Sequence, residues 1–202
     1  MRILLTGFGP FGEVVDNPSE RVVEYFARES IPGHELVTEV LPVSYKTVRR
    51  RIPELILSSQ ADLAMLLGVA GKADEIRVER WAINRAAGAD IEGVGTRARP
   101  ILRGGPEGYI SRLALNRLKR ALSAVDVPAA ISSSAGEYLC NYAYYWALHT
   151  IETAGIRTRC LFIHQPPDEK TYGPSSYAVA IDFMTQMDAV RVLINSLARP
   201  PL

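Results

Sequence analysis

The sequence is poor in the features that mark secreted and membrane-spanning proteins. Its 202 residues include only two cysteines, Cys140 and Cys160, whereas a secreted protein of this size more often carries several disulfide pairs. No apolar run approaches the roughly 20 residues of a membrane span, and the apolar run at residues 1–5 is too short for a signal peptide. We therefore expect a protein of the reducing cytoplasm, with free thiols and no membrane partner.

The charge of the chain is nearly balanced, which argues against nucleic acid as a partner. Lys and Arg number 23 and Asp and Glu 22, so the formal net charge is +1 and the summed field is weak. The one local basic cluster, Arg49–Arg51, lies in a helix-like stretch. We interpret this cluster as a solvated helix face rather than a phosphate-binding site.

The remaining composition is that of a globular α/β protein. Hydrophobic residues make up 48% and charged residues 22%. No repeat, low-complexity tract or linker divides the chain, so residues 1–202 are expected to form one domain. Apolar strand-like runs alternate with longer helix-like stretches, which predicts a mainly parallel central sheet with helices on both faces. In such folds the chemistry gathers beyond the carboxyl ends of the strands.

The individual elements follow from the apolar periodicity. Strands are predicted over residues 2–6, 35–42, 61–67, 75–84, 128–133 and 158–164. Helices are predicted over 19–29, 45–58, 109–125, 141–153 and 175–198, with Asn17 or Ser19 as the cap of the first. Residues 85–108, rich in Gly, Ala and Arg, are expected to form a loop.

A glycine-rich loop follows the first predicted strand. Residues Gly7–Gly12 match the pattern G-x-G-x-x-G, with which dinucleotide-binding oxidoreductases hold a pyrophosphate. Pro10 removes a backbone donor that a phosphate would need, and the next helix begins only after Asn17. Two phenylalanines in the loop suit an apolar ligand or a packed loop better than a charged one. Dinucleotide binding therefore remains a less favoured alternative.

The strongest chemical signal is Cys140. A predicted strand leads through Ser and Gly turn residues to this cysteine, which falls at the start of a helix. The positive end of a helix favours a thiolate, and the free backbone N–H groups there can hold an oxyanion. A small buried hydrophobe is the commoner role of a single cysteine, and Cys160, within an apolar run, fits that role better.

A catalytic cysteine requires a base, and the chain contains three histidines. His34 lies in a turn after a Pro-Gly pair. His149 follows Cys140 by nine residues on one helix, which places it on the opposite face. His164 ends an apolar strand, where a catalytic base would lie in a parallel sheet, although a structural histidine at a strand–loop junction is the alternative. The pattern does not select the orienting acid, for which the candidates are Glu75, Glu79, Glu137 and Asp168.

Several short motifs, in their order along the chain, resemble those of the pyroglutamyl peptidase I family (pyrrolidone-carboxylate peptidases). The resemblance extends from Leu4 to about His164 and more loosely into the last helix. The matching segments are residues 5–12, 17–19, 68–71, 79–84, 104–106, 135–141 and 162–164.

The resemblance implies a fold, a triad and a substrate. The implied fold is a single-domain α/β/α sandwich that needs no cofactor or metal. The implied assembly is a homotetramer. The triad is Cys140, His164 and Glu79, and the substrate is a peptide with an N-terminal pyroglutamyl residue. The ring of that residue would lie in an apolar pocket, in line with its flat and neutral shape. The matching pocket residues are Phe8, Phe11, Tyr138 and Leu139, with Asn17 as the polar contact to the ring amide and Val69 at a further pocket position.

The sequence also departs from the family pattern. Val69 replaces a glutamine, residues 87–93 lack an arginine, and Tyr138 stands where the family commonly has phenylalanine. The loss of one polar contact to a buried ligand group costs roughly 1–3 kcal/mol of recognition. A relative with weak or altered substrate specificity is therefore a second hypothesis.

Overall fold

The computed structural model describes residues 1–95, 97–173 and 181–198. The strands are β1 (Arg2–Phe8), β2 (Glu35–Leu41), β3 (Leu63–Val69), β4 (Ile76–Glu79), β5 (Trp81–Ile83), β6 (Gly108–Ile110), β7 (Ala129–Ser132) and β8 (Arg159–Gln165). The helices are α1 (Pro18–Arg28), α2 (Tyr45–Ser58), α3 (Leu115–Ser123), α4 (Leu139–Ala154) and α5 (Phe183–Ala198). Within these described ranges, no helix has both the length and the apolar character needed to cross a membrane.

The central sheet has six strands in the order β2-β1-β3-β8-β4-β7. The pairs β1–β2, β1–β3, β3–β8 and β4–β7 are parallel, and β4–β8 is antiparallel. The prediction of a mainly parallel sheet is confirmed, with one reversal of direction between β8 and β4. Strands β5 and β6 form a separate antiparallel pair.

The core lies in two layers, one on each face of the sheet. Because side chains alternate along a strand, Ile3 and Leu5 pack on one face with α1, α3 and α5. Leu4 points to the other face, where α2 and α4 pack. Strands β3 and β8 are buried almost throughout, which explains their continuous apolar sequences. This arrangement is the predicted α/β/α sandwich.

Two predicted elements are wrong. The single strand predicted over 75–84 is divided at Arg80 into β4 and β5, which belong to different sheets. The N–H of Arg80 donates to Ser132 O, and its carbonyl accepts from Ser111 N, so the chain leaves the central sheet there. The helix predicted over 109–125 begins only at Leu115, because residues 108–110 pair with β5 as a strand.

The last predicted helix, over 175–198, is shorter in the described part of the chain. Residues 175–180 lie outside the described residues, and α5 begins at Phe183. The carboxylate of Asp182 accepts from the N–H and the hydroxyl of Thr185, as expected for a residue that caps a helix start.

The basic cluster on α2 is largely paired with carboxylates. Arg51 contacts Glu39 and Glu54, and Arg50 lies 3.8 Å from Glu54. The guanidinium of Arg49 lies over the ring of Trp146 at 5.7 Å. These contacts are typical of a solvated helix face.

Candidate active site

The candidate site lies at the carboxyl edge of the parallel strands β3 and β8. His164, near the end of β8, pairs in register with Gly68 of β3. Cys140, the second residue of α4, reaches the same point. A Cβ atom built on Gly68 would lie only 2.7 Å from the Cys140 Sγ. The thiol and the imidazole therefore occupy neighbouring positions at one edge of the sheet.

The start of α4 presents its backbone donors beside the thiol. Gly136, with φ of 79°, turns the chain into the helix, and Tyr138 caps the helix without a side-chain hydrogen bond. The first N–H to bond within the helix is that of Tyr142, to Tyr138 O. The N–H groups of residues 139–141 precede it, so they are the orphan donors of a helix start, with the positive end of the helix dipole.

The imidazole of His164 is held by a buried carboxylate. Nδ1 of His164 lies 2.7 Å from Oε1 of Glu79, and Glu79 is fully buried. The antiparallel register pairs Glu79 with Phe162, so Glu79 is the diagonal neighbour of His164 on the same face. Since an ionised carboxylate only accepts hydrogen bonds, Nδ1 carries the proton. This leaves Nε2 for the hydrogen bond with Cys140.

The environment of His164 favours its charged form. Burial lowers the pKa of His164, but the charge of Cys140, the hydrogen bond with Cys140 and the contacts with Glu79 outweigh it. The pKa of His164 is raised to about 9. These contacts therefore stabilise the imidazolium that forms when His164 takes a proton from the thiol.

The other cysteine and the other histidines lie elsewhere. Cys160 is buried, and burial raises the pKa of its thiol. His34 precedes β2 at the amino edge of the sheet, opposite His164. His149 bonds to the Tyr109 hydroxyl through Nδ1 at 2.7 Å and stacks on Tyr145. The structure thus brings together Cys140 and His164.

Of the four acidic candidates, Glu79 is the one that bonds to His164. Glu137 forms an exposed ion pair with Arg85 at 2.8 Å, and the carboxylate of Asp168 contacts Arg21. Glu75, half-buried, precedes β4. The second oxygen of Glu79, Oε2, is buried and has no hydrogen-bond partner among the described residues. The charge of this carboxylate is thus balanced chiefly through its contact with the imidazole.

The predicted apolar pocket has two partly exposed aromatic walls. The rings of Phe11 and Tyr138 lie 5.9 Å apart at an angle of 42°, and both are half-buried. Phe8, Val69 and Leu139 are buried beneath the surface, with exposed fractions of 4%, 7% and 1%. In this conformation the aromatic pair offers surface to a ligand, whereas the other three residues support it.

Asn17 lies beside the glycine-rich loop but is fully buried. Its Oδ1 accepts from the N–H and the hydroxyl of Ser19, and its Nδ2 donates to Gly9 O at 3.0 Å. Asn17 therefore caps α1 and fixes the loop. Both ends of its side chain are engaged within the protein.

Two residues of the site were not singled out from the sequence. Gly68 makes room for the thiol, as described above. Asn141, which follows the nucleophile candidate, is fully buried. Its Nδ2 donates to Ile83 O and Arg85 O, and its Oδ1 accepts from Ile83 N, at 2.8–2.9 Å. In the sequence, only its position directly after Cys140 pointed to Asn141, and that position does not show what its side chain contacts.

The glycine-rich loop lacks the geometry of a dinucleotide site. Helix α1 begins at Pro18, well after the loop, and its start is capped by Asn17. The hydroxyl of Ser19 accepts from Phe8 N at 3.0 Å. A Cβ atom on Gly7 would lie 2.4 Å from Ser19 O, so this glycine serves the close packing of β1 against α1. The start of the helix is thus occupied by protein groups.

A thiol at a helix start, an imidazole at a strand end and a buried carboxylate define a site of the cysteine hydrolase class. Comparison with known families is consistent with this class, since the pyroglutamyl peptidase family model matches residues 1–199. The chain belongs to the pyroglutamyl peptidase family.

Individual relatives and solved structures agree with this assignment. The pyrrolidone-carboxylate peptidase of Thermococcus onnurineus is 42% identical over 168 residues, which are 82% of this chain and 84% of the relative. That of Pyrococcus furiosus is 32% identical over 201 residues, 96% and 97% of the two chains. The solved structure of pyrrolidone carboxyl peptidase from Thermococcus litoralis superposes with a TM-score of 0.90 at 28% identity, covering 100% of this chain and 99% of that chain.

Proposed function

We propose that this chain hydrolyses the peptide bond after an N-terminal pyroglutamyl residue, with Cys140 as nucleophile, His164 as base and Glu79 as its orienting acid. The observation that carries the proposal is the 2.7 Å contact between His164 Nδ1 and Glu79, with Cys140 hydrogen-bonded to the same ring. Membership of the pyroglutamyl peptidase family supplies the substrate class and favours this function over that of a dinucleotide-binding oxidoreductase.

The acylation step follows from this geometry. His164 Nε2 takes the proton of the Cys140 thiol, and the thiolate attacks the carbonyl carbon of the pyroglutamyl residue. The N–H groups at the start of α4 are available to the oxygen that becomes negative. As the tetrahedral intermediate collapses, the imidazolium gives its proton to the leaving amine and a thioester to Cys140 remains.

The deacylation step reverses these roles. His164 takes a proton from water, and the resulting hydroxide attacks the thioester carbonyl. The Cys140 sulfur leaves the acyl carbon and pyroglutamate is released. The proton that His164 took from water then returns to this sulfur. Glu79 holds Nδ1 throughout and stabilises the imidazolium that forms in both steps.

The two cysteines provide a matched test. Cys140→Ser is expected to lower hydrolysis of pyroglutamyl-aminomethylcoumarin by about 10³-fold or more, whereas Cys160→Ser, at a buried position behind the site, is expected to retain activity. Iodoacetamide should label Cys140 first, and a pyroglutamyl aldehyde should protect it, as read by mass at each thiol. If Cys140→Ser kept full activity, the proposal would be wrong.

A second candidate function is hydrolysis of a related N-terminal substrate with weak pyroglutamyl activity. Val69 motivates it, because this buried apolar side chain lies directly after Gly68 and offers no hydrogen bond to a ring amide. A panel of N-terminal aminoacyl coumarins would separate the two candidates. A low pyroglutamyl kcat/KM that rises in Val69→Gln, with another substrate preferred by the parent chain, would favour the second.

We also propose that the chain assembles into a homo-oligomer, a tetramer as the resemblance implies. Trp81 and Ile110 are 39% and 46% exposed and face each other across the β5–β6 pair. Adjacent exposed apolar side chains suit an interface. Trp81→Glu should lower the mass measured by light scattering, whereas Leu57→Glu, at an apolar site that is 52% exposed, should not.

We also propose that residues 1–202 form one domain and that the protein lies in the cytoplasm. A single domain over residues 1–202 should unfold in one cooperative transition by calorimetry, and two resolved transitions would contradict it. A cytoplasmic location would keep Cys140 as a free thiol. Fractionation of the source cells would test this location.

A further inference from the structure

The loop after β5, residues 85–95, is held by the hydroxyl groups of two tyrosines. The Tyr138 hydroxyl donates to Ala89 O at 2.7 Å. The Tyr45 hydroxyl donates to Ala87 O at 3.0 Å and to Gly88 O at 3.1 Å. The two rings meet edge to face, with centroids 6.1 Å apart. The loop is thus tied to α2 and, through Tyr138, to the start of the helix that carries Cys140.

The shape of the loop is fitted to these rings. Gly88 has φ of 94°, and a Cβ atom there would lie 2.9 Å from the ring of Tyr138. A Cβ atom on Gly95 would lie 2.5 Å from the ring of Tyr45. Side chains are excluded at both positions because each ring lies directly against the backbone. The hydroxyl bonds and the glycines therefore define one conformation of the loop.

The far side of the loop is closed by Asp90. Its carboxylate accepts from the N–H groups of Tyr45, Glu92 and Val94 at 2.9 Å. Burial raises the pKa of Asp90, but these three backbone bonds outweigh burial and lower it overall. Asp90 forms no hydrogen bond with Tyr138, so the Tyr138 hydroxyl joins the ring of this wall directly to the loop backbone.

We propose that the bond from Tyr138 to Ala89 makes Tyr138 a specificity-determining positioning residue. The inference rests on the proposed pyroglutamyl peptidase function. The bond fixes the ring that faces Phe11 and thereby one of the two aromatic walls against which a flat lactam ring would lie.

The test compares Tyr138→Phe with Tyr109→Phe. Both remove a hydrogen-bonded hydroxyl, but that of Tyr109 bonds to His149 outside the site. Tyr138→Phe is expected to accelerate hydrogen exchange in peptides covering residues 86–95 by about tenfold. It should raise KM for pyroglutamyl-aminomethylcoumarin severalfold and leave kcat within about twofold. Tyr109→Phe should change neither quantity.

A second variant addresses the same contact from the loop. Gly88→Ala places a methyl group against the Tyr138 ring and should raise KM in the same way. The inference is overturned if the parent chain is active and Tyr138→Phe changes neither exchange nor KM. It is also overturned if KM rises while exchange stays unchanged, because the hydroxyl would then act on the substrate directly. An inactive parent chain refutes the proposed function instead, and the exchange measurement still tests the bond.

Discussion

The sulfur of Cys140 packs directly on the backbone of Gly68, where a methyl group would lie 2.7 Å from it. The ring of Phe162 lies 3.0 Å from the same point, so neither neighbour leaves space for a side chain. The glycine at the end of β3 is therefore a condition for placing the thiol beside His164.

Gly68→Ala is predicted to displace the thiol and to lower kcat/KM by about 100-fold, the cost of a shift of about 1 Å at a reacting group. Gly155→Ala is the matched control. It lies at the other end of α4 with φ of 64°, so it should cost about 1 kcal/mol of stability without loss of activity. Equal losses of activity in the two variants would contradict the prediction.

Asn141 is predicted to hold the start of α4 against the segment after β4. Asn141→Ala leaves partly buried backbone groups of Ile83 and Arg85 without their partner, so it should lower the free energy of unfolding by about 1–3 kcal/mol. It should also slow alkylation of Cys140 by iodoacetamide. The control is Asn195→Ala, on the exposed face of α5, which should leave both measurements unchanged.

His164 makes the stability of the protein depend on pH. Its pKa is about 9 in the folded chain and about 6.5 in an unfolded one, so the folded state binds the proton more tightly. The resulting stabilisation is complete below about pH 6.5 and is lost as the pH rises through about 9. The Tm of the parent chain should therefore exceed that of His164→Gln most at low pH, and this excess should shrink as the pH rises through about 9.

The charge of Cys140 and its hydrogen bond raise the pKa of His164 most, and Glu79 adds to them. Glu79→Gln tests this second contribution to the pH dependence. The amide keeps an acceptor for Nδ1 but removes the negative charge, so the pKa of His164 should fall. The loss of stability with pH should then begin and end at lower pH than in the parent chain. An unchanged midpoint would show that Glu79 does not contribute to the charge of the imidazole.

The sequence predicted those parts of the structure that local pattern determines. Helix α2 begins and ends at the predicted residues, because its apolar period and its Ser44 cap are local features. The continuous apolar runs of β3 and β8 likewise identified buried strands. The break at Arg80 was missed because the alternation of apolar residues continues across it, and only partners distant in sequence divide the chain there.

The orienting acid could not be selected from local pattern for the same reason. Glu79 reaches His164 because β4 runs antiparallel to β8, and the direction of one short strand leaves no trace in its own sequence. The resemblance to the family supplied this residue. Gly68 and Asn141 act through contacts with Phe162 and Ile83, which become visible only when the chain is folded.

Asn17 offers the last prediction, because its buried side chain is engaged at both ends. Asn17→Ala removes the cap of α1 and the bond to Gly9 O, so it should lower the free energy of unfolding by about 1–2 kcal/mol. Asn17→Ser retains a capping oxygen and should recover most of that loss, as measured by urea denaturation. If Asn17→Ala matched the parent chain in stability but raised KM strongly, Asn17 would act on the substrate rather than on the helix.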